Sequence, residues 1–435
     1  MGNHSNNMCG KKLLLLGGTK ISCEIIREAQ RMGIFVGVAD YNDIKDSPGK
    51  QIADATHEIS VLDIDKIVSL IQKESYQGVI VGFADSLLPY YAEICERAKL
   101  PSYATKEQFQ LFTDKKKYKK LCRNFGVPTV DEYDINIDSF DECDKITYPV
   151  LVKPSDNSGA RGVSICNNPS ELRQAYTKAL NFSKNGQILI ERYIKGKEVT
   201  LFWVFQDGEY YLATIGNRHV KHNQEGVIPL PVGYTFPASI IPSYTKNISP
   251  LVKNMLQSVG VRNGMMFMQC LVSDNICFVY DIGFRLTGSL EYKLIEKLCG
   301  YSPLKMMIEY ALTGKTDNYN LKDKVDPMFS GKFAFNVSLL SKPGTIAYMK
   351  GVDKILNMDG IIDAVFNYEA GETIPESYRG TLAQIVLRVF GIADSVEEML
   401  TLMKNVHKSF KIISTDGEDL LLPGIEDYDL EGDVL

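Results

Sequence analysis

Short apolar runs alternate with amphipathic stretches over the first hundred residues of this chain. The runs 12–16, 35–39 and 78–81 have the length of buried strands, and glycine or aspartate follows the first two. Between them, 21–32 and 66–73 carry apolar residues at helical spacing. This alternation of strand and helix predicts a parallel sheet with helices on its faces.

The central part of the chain changes to hairpins that follow a basic helix. Residues 113–124 predict a strongly basic helix, which Gly126-Val127-Pro128 ends. Strands are predicted at 148–153 and 163–166, on either side of the loop PSDNSGARG. Further strands are predicted at 187–193, 198–205, 210–216, 265–272 and 276–283.

From about residue 315 the pattern changes again. This part contains the segment 333–340 and a predicted helix near 396–410, and the chain ends in the acidic segment GIEDYDLEGDVL. We therefore predict an α/β (α+β) fold in three parts. These are a Rossmann-like parallel-sheet domain at 11–110, a central domain at 111–315, and an α+β cap with an acidic tail at 316–435.

Composition narrows the class of partner. With 45% hydrophobic and 23% charged residues, a chain of 435 residues is globular and long enough for several domains. The net charge of -6 argues against nucleic acid or an anionic membrane as partner, and no stretch approaches the roughly 20 apolar residues of a membrane span. The nine cysteines include no Cys-x-x-Cys pair, so we expect free thiols, no zinc site and a cytoplasmic location.

The turn after the first strand invites a dinucleotide-binding interpretation. Gly17-Gly18 ends the strand and Asp40 ends the next one, but Ile21 and Ser22 stand where Gly-x-Gly-x-x-Gly would place its last glycine. A turn that binds part of a small substrate, or nothing, is the better interpretation.

The loop after Lys153 carries the first chemical signal. A lysine at the end of a strand, followed by a loop with Gly159 and Gly162, suits phosphate because glycines let backbone N–H groups approach its oxygens. Arg161 adds a cation, and Ser155 and Ser158 add hydroxyl donors. A solvated lysine at a hairpin end is the alternative.

Two further segments are weaker signals. Lys115 opens the basic helix, where a run of lysines is more typical of a solvated face. The segment ERYIKGKE, residues 191–198, runs from a strand through a glycine turn to an acid, which suits an adenine edge and ribose hydroxyls.

Four segments together resemble the ATP-grasp superfamily, in the branch of biotin carboxylase, carbamoyl-phosphate synthetase and the amino-acid ligases. They read DKKKYKKLCRNFGVPTV, YPVLVKPSDNSGARGV, LIERYIKGKEVT and VYDIGFRLTGS, in the family's order. The later PGTI and LLLPG resemble the cap of that branch. The resemblance implies a two-lobed grasp that holds ATP between sheets, with a mobile loop at 155–163 inside a lobe at 113–190, and it implies a homodimer.

The resemblance also implies roles for single residues. Lys115 and Lys153 would contact the phosphates, and Arg285 would face the γ-phosphate and the acyl-phosphate made from it. Ser155, Ser158, Gly159, Arg161 and Gly162 would belong to the loop that closes over the phosphates. Glu191, Arg192 and Ile194 would line the adenine hinge, and Glu198 would hold the ribose.

The metal-binding hairpin departs from the family's pattern. Gln269, Asp281 and Gly283 stand where the family carries two glutamates and an asparagine. Magnesium accepts waters and substrate phosphates as ligands, so one carboxylate can suffice, but we expect weaker binding of Mg²⁺ or Mn²⁺. Glu291 is our candidate for an additional acidic ligand.

These features predict an ADP-forming ligase that joins a small-molecule carboxylate to an amine through an acyl-phosphate. The segment 216–238 would face the substrate, with a bland surface loop as the alternative. Its candidate contact residues are Arg218, His219, Lys221, His222 and Glu225. A phosphotransferase on the same fold, a nucleotide-binding protein without turnover, and a biotin-dependent carboxylase suggested faintly by Met349-Lys350 remain alternatives.

Overall fold

The structure is a computed structural model that describes residues 8–134, 143, 146–155, 162–183, 185–221 and 230–425. It contains a parallel sheet, two small antiparallel sheets and one large sheet. The predicted α/β class, with a parallel N-terminal sheet followed by antiparallel hairpins, is confirmed.

The N-terminal sheet is parallel and has the order β3-β2-β1-β4. Its strands are β1 Lys12–Leu16, β2 Phe35–Asp40, β3 Ala55–Glu58 and β4 Gly78–Val81. The helices that accompany it are α1 Cys23–Arg31, α2 Pro48–Ile52, α3 Ile64–Glu74 and α4 Leu88–Ala98. β1 and β4 are apolar and almost wholly buried because both faces of the sheet are covered.

The predicted basic helix is preceded by a second helix that the pattern did not reveal. α5 covers Lys106–Thr113 and α6 covers Lys115–Asn124. Asp114 between them is extended, and its carboxylate accepts hydrogen bonds from the backbone N–H groups of Lys116 and Lys117 at 3.0 and 3.1 Å. This N-cap starts α6 afresh and puts Lys115 at its first position.

A small antiparallel sheet of order β6-β5-β7 carries the strand of Lys153 at its centre. Its strands are β5 Val150–Pro154, β6 Ser164–Cys166 and β7 Ile188–Arg192, and α7 Pro169–Leu180 packs on it. Because β5 alternates, Val150 and Val152 enter a local core while Lys153 projects to the other face.

The large sheet has eight strands, in the order β12-β11-β8-β9-β10-β13-β17-β15. The strands from β8 to β18 are β8 Lys197–Gln206, β9 Glu209–Lys221, β10 Leu230–Phe236, β11 Gly264–Ser273, β12 Ile276–Gly283, β13 Phe333–Leu340, β14 Gly344–Lys350, β15 Ile361–Phe366, β16 Thr373–Ile374, β17 Ile385–Ala393 and β18 Lys411–Ser414. β14, β16 and β18 form a separate three-stranded sheet. Through the β10–β13 pair, the large sheet includes strands on both sides of residue 315. The domain boundary expected at that residue stays a prediction.

The remaining helices cover the large sheet and its edges. They are α8 Ile241–Asn247, α9 Ser249–Val259, α10 Tyr292–Cys299, α11 Pro303–Thr313, α12 Leu321–Lys324, α13 Val352–Leu356 and α14 Val396–Ser409. Lys293 on α10 joins three parts of the chain, because its Nζ lies 2.7 Å from Glu24 on α1 and 2.7 Å from Asp363 on β15. In the described ranges, no helix is both long and apolar enough to cross a membrane.

The N-terminal sheet and α11 approach each other too closely for a side chain at Gly78. A Cβ there would lie 2.4 Å from the carbonyl oxygen of Ala311. We expect Gly78→Ala to lower the free energy of unfolding by about 2 kcal/mol, because backbone cannot move aside as a side chain can. Urea unfolding followed by circular dichroism measures this change.

Gly288→Ala is the matched control. Its added Cβ would meet only the Cδ1 of Ile21, at 3.4 Å, which is an ordinary contact. Equal losses of stability in the two variants would contradict the packing argument.

Candidate active site

A buried carboxylate between two ammonium groups lies at the centre of the candidate site. Glu191 on β7 is 3% exposed, and its Oε2 lies 2.8 Å from Nζ of Lys153 on the neighbouring β5. Its Oε1 accepts a hydrogen bond from Lys119 on α6, which also donates to Glu132 at 2.9 Å. Lys119, Glu191 and Lys153 form a triad that joins the basic helix to the small sheet through largely buried charged groups.

The charges of this triad sustain one another. Burial lowers the pKa of the Lys153 ammonium, with Glu191 opposing the shift and Lys119 adding to it. Burial raises the pKa of Glu191, but Lys153 and Lys119 together outweigh burial and leave it below its usual value. Glu191, predicted at the adenine hinge, is thus placed where its side chain holds two lysines.

Lys119 is fully buried, although the sequence places it in a run of lysines. The exposed Lys116, Lys117 and Lys120 fit the solvated face that such a run favours. Helical spacing could have indicated that Lys119 is buried, because it lies on the same face of α6 as the buried Tyr118 and Cys122.

Glu198 on β8 is already paired. Its Oε2 accepts hydrogen bonds from Tyr280 at 3.0 Å and from Arg218 on β9, and its Oε1 has no hydrogen-bond partner in the described chain. Burial lowers the pKa of Arg218, but Tyr280 and Glu198 outweigh it and raise the pKa above its usual value. Tyr280 is the extra residue of a bulge in β12, since Gln269 pairs with Asp281 and Cys270 with Val279.

Arg285 is held by an acid that follows the N-terminal sheet. Its Nε and Nη2 donate to the two oxygens of Asp85 at 2.8 and 2.6 Å, and its guanidinium lies 5.1 Å from the ring centre of Phe267. Asp85 follows β4 closely, where the carboxyl end of a parallel strand commonly carries function. Asp85 was not among the predicted site residues, although its place after β4 is a signal in the sequence.

Gln269 and Asp281 face each other across the β11–β12 pair. Burial raises the pKa of Asp281, with Asp85 adding to the shift and Lys115, Lys153 and Arg285 opposing it. The Asp281 carboxylate has no hydrogen bond or ion pair within the described ranges, so both of its oxygens are available to a ligand. One carboxylate and one amide oxygen are hard donors, which fit Mg²⁺.

Gly283 has a steric reason to lack a side chain. A Cβ at this position would lie 2.2 Å from Cε1 of Phe267, whose ring also lies against the Arg285 guanidinium. The ring of Phe267 therefore fills the space that the asparagine side chain expected from the resemblance would need.

Glu291, the predicted additional metal ligand, belongs to a different group of side chains. Its Oε2 accepts hydrogen bonds from Thr287 and Ser289 at 2.7 and 2.8 Å. Burial raises the pKa of Glu291 to about 7. Its described contacts do not include Gln269 or Asp281.

The other predicted nucleotide residues are distributed around the triad. Ser155 donates its backbone N–H to Gln187 at 2.9 Å, and Ile194 is buried. Arg192 lies 5.5 Å from the ring centre of Phe278. Gly162 has a φ of +78° and no room for a side chain beside Pro154 and Phe182. Ser158, Gly159 and Arg161 lie outside the described residues.

The candidate substrate residues do not share one surface. Arg218 and His219 are adjacent on β9 and point to opposite faces of the sheet. His219 hydrogen bonds with Thr235 at 2.8 Å, and Lys221 donates to the carbonyl oxygen of Gly424 at 2.8 Å. His222 and Glu225 lie outside the described residues.

The Gly17-Gly18 turn is held by hydrogen bonds to residues at the end of β2. The backbone N–H of Gly18 donates to Oδ2 of Asp40 at 2.7 Å, and buried Lys50 donates to the carbonyl oxygen of Asp40 at 2.9 Å. Asp40 therefore stabilises the turn itself, and its Oδ1 accepts from the backbone of Asn42 at 2.8 Å.

Comparison with known proteins finds similarity to one family over the central part of the chain. A family model described as an ATP-grasp domain matches residues 146–289. The 2-oxoglutarate carboxylase small subunit of Hydrogenobacter thermophilus is 26% identical over 336 residues, which cover 72% of this chain and 69% of that protein. The carbamoyl phosphate synthase large chain of Clostridium acetobutylicum is 23% identical, over 68% of this chain and only 28% of that protein.

Among solved structures, an L-amino acid ligase from Bacillus licheniformis superposes with a TM-score of 0.76 at 17% identity. The match covers 94% of this chain and 99% of that one. At this identity it shows a shared fold over nearly the whole chain.

We expect Lys119→Met to lower the free energy of unfolding by about 3 kcal/mol, because it removes one of the two ammonium partners of the buried Glu191 carboxylate. Lys120→Met, one residue further along the same helix and exposed, changes stability by less than about 0.5 kcal/mol. Urea unfolding of both variants measures the difference. Comparable effects would show that the triad contributes nothing specific.

Proposed function

We propose that this protein, whose residues 146–289 form an ATP-grasp domain, is an ATP-dependent carboxylate–amine ligase that releases ADP and phosphate. One observation carries the proposal. Lys115, Lys153 and Arg285 come from three separate segments and all act electrostatically on the unpaired carboxylate of Asp281. Three cations around one available acid suit a triphosphate and its divalent ion.

The reaction has two steps. A carboxylate oxygen of the first substrate attacks the γ-phosphorus of ATP, and the bond to the β–γ bridging oxygen breaks, which releases ADP. The nitrogen of an amine then attacks the acyl carbon, phosphate leaves, and the amine loses a proton. Lys115, Lys153 and Arg285 spread the charge of the transferring phosphoryl group, which is the main contribution a protein makes to this chemistry.

Gln269 and Asp281, which face each other across the β11–β12 pair, would hold the magnesium ion. The ion would supply additional positive charge at the phosphate oxygens. Since Asp281 is the one carboxylate of the β11–β12 pair at this position, its affinity for Mg²⁺ should be lower than that of a site with two glutamates.

Phosphate must compete with carboxylates that already hold the cations. Arg285 is bound to Asp85, and Lys153 to Glu191. A triphosphate carries more charge than either acid, so it can draw both cations while the acids keep them in place beforehand. Glu198 has Oε1 to offer to a ribose hydroxyl, and Arg192 and Ile194 are proposed at the adenine, with the loop 155–163 over the phosphates.

A screen of ADP release tests the proposal. The full chain is incubated with ATP, Mg²⁺ and pairs drawn from amino acids and simple carboxylates. ADP that forms only when both a carboxylate and an amine are present, together with an amide by mass spectrometry, supports the ligase. A phosphorylated product that accumulates without an amine points to a phosphotransferase. ATP binding without ADP in any pair points to a nucleotide-binding protein without turnover.

Lys153→Met should reduce turnover at least about a hundredfold, because it removes a donor aimed at developing negative charge. The matched control is Lys116→Met, which removes an exposed lysine beside Lys115 and should leave turnover within about twofold. Steady-state ADP release measures both. If Lys153→Met stayed within a few-fold of the wild type, the phosphate-binding role would be wrong.

Gln269→Glu should lower the Mg²⁺ concentration that gives half-maximal turnover by about tenfold, because it adds a second carboxylate beside Asp281. Asp281→Asn should raise that concentration or abolish turnover. Titration of turnover with Mg²⁺ at fixed ATP measures both, and Asp274→Asn, at the exposed tip of the same hairpin, is the control. An unchanged Mg²⁺ requirement in both hairpin variants would place the metal elsewhere.

A further inference from the structure

A second group of polar side chains lies buried beyond Arg285, between the loop that follows β12 and the strands β13 and β17. Glu291 is 1% exposed, and its Oε1 has no hydrogen-bond partner among the described residues. Asn336 on β13 is wholly buried. Its Nδ2 donates to the carbonyl oxygen of Ser289, and its Oδ1 has no partner in the part of the chain that the structure describes. Two acceptor oxygens are therefore buried without a donor.

A cation lies beside these acceptors with almost all of its donors unused. Arg388 on β17 is 9% exposed, and its one hydrogen bond in the described chain runs from Nη1 to Oγ of Ser338 at 3.3 Å. A guanidinium carries five N–H donors, so burying it this way is costly unless something else binds there. Burial lowers the pKa of Arg388, while Tyr234 and Glu291 act against that shift.

The sheet connects this group with the nucleotide site. Asn336 pairs with Tyr234, and Tyr234 pairs with Arg218, which donates to Glu198. Directly opposed residues in neighbouring strands share a face, so Asn336 and Glu198 lie on the same face of the large sheet. The loop to Glu291 also carries Arg285, six positions earlier.

The chemistry of the unused groups selects the ligand. An inorganic anion would satisfy Arg388 and leave both acceptor oxygens unpaired. A lone ammonium would do the reverse, and water would fill the hydrogen bonds but leave Glu291 as the acid that opposes the guanidinium's charge. A molecule with a carboxylate at one end and an ammonium at the other satisfies all three side chains.

We propose that Arg388, Glu291 and Asn336 bind the amine substrate, and that this substrate is an amino acid in its zwitterionic form. Its carboxylate lies on Arg388, and its ammonium donates to Oε1 of Glu291 and Oδ1 of Asn336. Because its carboxylate is held by Arg388 instead of Arg285, it supplies the nitrogen and the other substrate supplies the activated carboxylate. The inference rests on the proposed ligase function and names the substrate class for it.

Direct binding tests the site apart from turnover. The proteinogenic amino acids are screened against the full chain by isothermal titration, with and without the ATP analogue AMP-PNP. For any amino acid that binds, its methyl ester and its N-acetyl form are titrated as well. Arg388→Met should weaken the free amino acid by at least about tenfold and leave the ester unaffected, because the ester has no carboxylate for Arg388 to hold. Glu291→Gln should weaken the free amino acid and leave the N-acetyl form unaffected.

Arg379→Met is the matched control, since Arg379 is exposed and bonds to Glu376 on the surface. It should bind amino acids as the wild type does. The melting temperature of the ligand-free protein adds a second readout. Removing an unpaired buried charge should leave it unchanged or raise it in Arg388→Met, whereas a structural arginine would lower it. Arg388→Lys keeps the charge and should retain part of the binding.

The outcomes separate this inference from the function on which it rests. Binding that ignores Arg388→Met, or a site that takes sulfate or acetate as well as the amino acid, overturns the zwitterion site. Loss of binding together with a large fall in melting temperature also overturns it, in favour of a structural network filled by water. If no amino acid binds while AMP-PNP does and another amine supports ADP release, the inference fails and the ligase stands. If neither AMP-PNP binding nor ADP release is found, the proposed ligase function is wrong as well.

Discussion

Glu191 accepts an ammonium group on each of its carboxylate oxygens, and the candidate active site is arranged around that shared acid. Lys153 reaches it from β5 and Lys119 from α6, both from positions that water hardly enters. A buried ion pair is stable only when its partners are fixed by geometry. The basic helix is therefore bound to the small sheet at a defined position, which also sets where Lys115, at the start of that helix, stands relative to Asp281.

The same device recurs at the other cations of the site. Arg285 is held by Asp85 and Arg218 by Glu198, each from a different segment of the chain. Cations kept by acids need no reorganisation of the fold when a more highly charged ligand arrives, because only the partner changes. Such preorganised charge is a principal source of transition-state stabilisation in phosphoryl transfer. The Arg285–Asp85 pair also ties the N-terminal sheet to the β12 end of the large sheet.

The two unusual features of the large sheet fit one picture. The ring of Phe267 takes the space of a side chain at position 283 on β12, two residues from Asp281. At β17, Arg388 is buried with a single hydrogen bond, beside unpaired oxygens of Glu291 and Asn336. Buried polar groups left unpaired in a native protein call for an explanation, because each costs stability, and a bound ligand is one such explanation.

The sequence by itself determined several of the elements and one strand end of the candidate site. Apolar runs set the bounds of β1 and β4, and the glycine loop after Lys153 identified a strand end suited to phosphate, because these signals are local in the chain. Only the tertiary structure decided which charges are paired and which are free. Lys119 and Lys120 are alike in sequence, yet one is buried against Glu191 and the other exposed, and Asp85 meets Arg285 from two hundred positions away. Periodicity indicates which face of an element is covered. The groups that cover that face come from elsewhere in the chain, and they decide whether a charged side chain on it is paired.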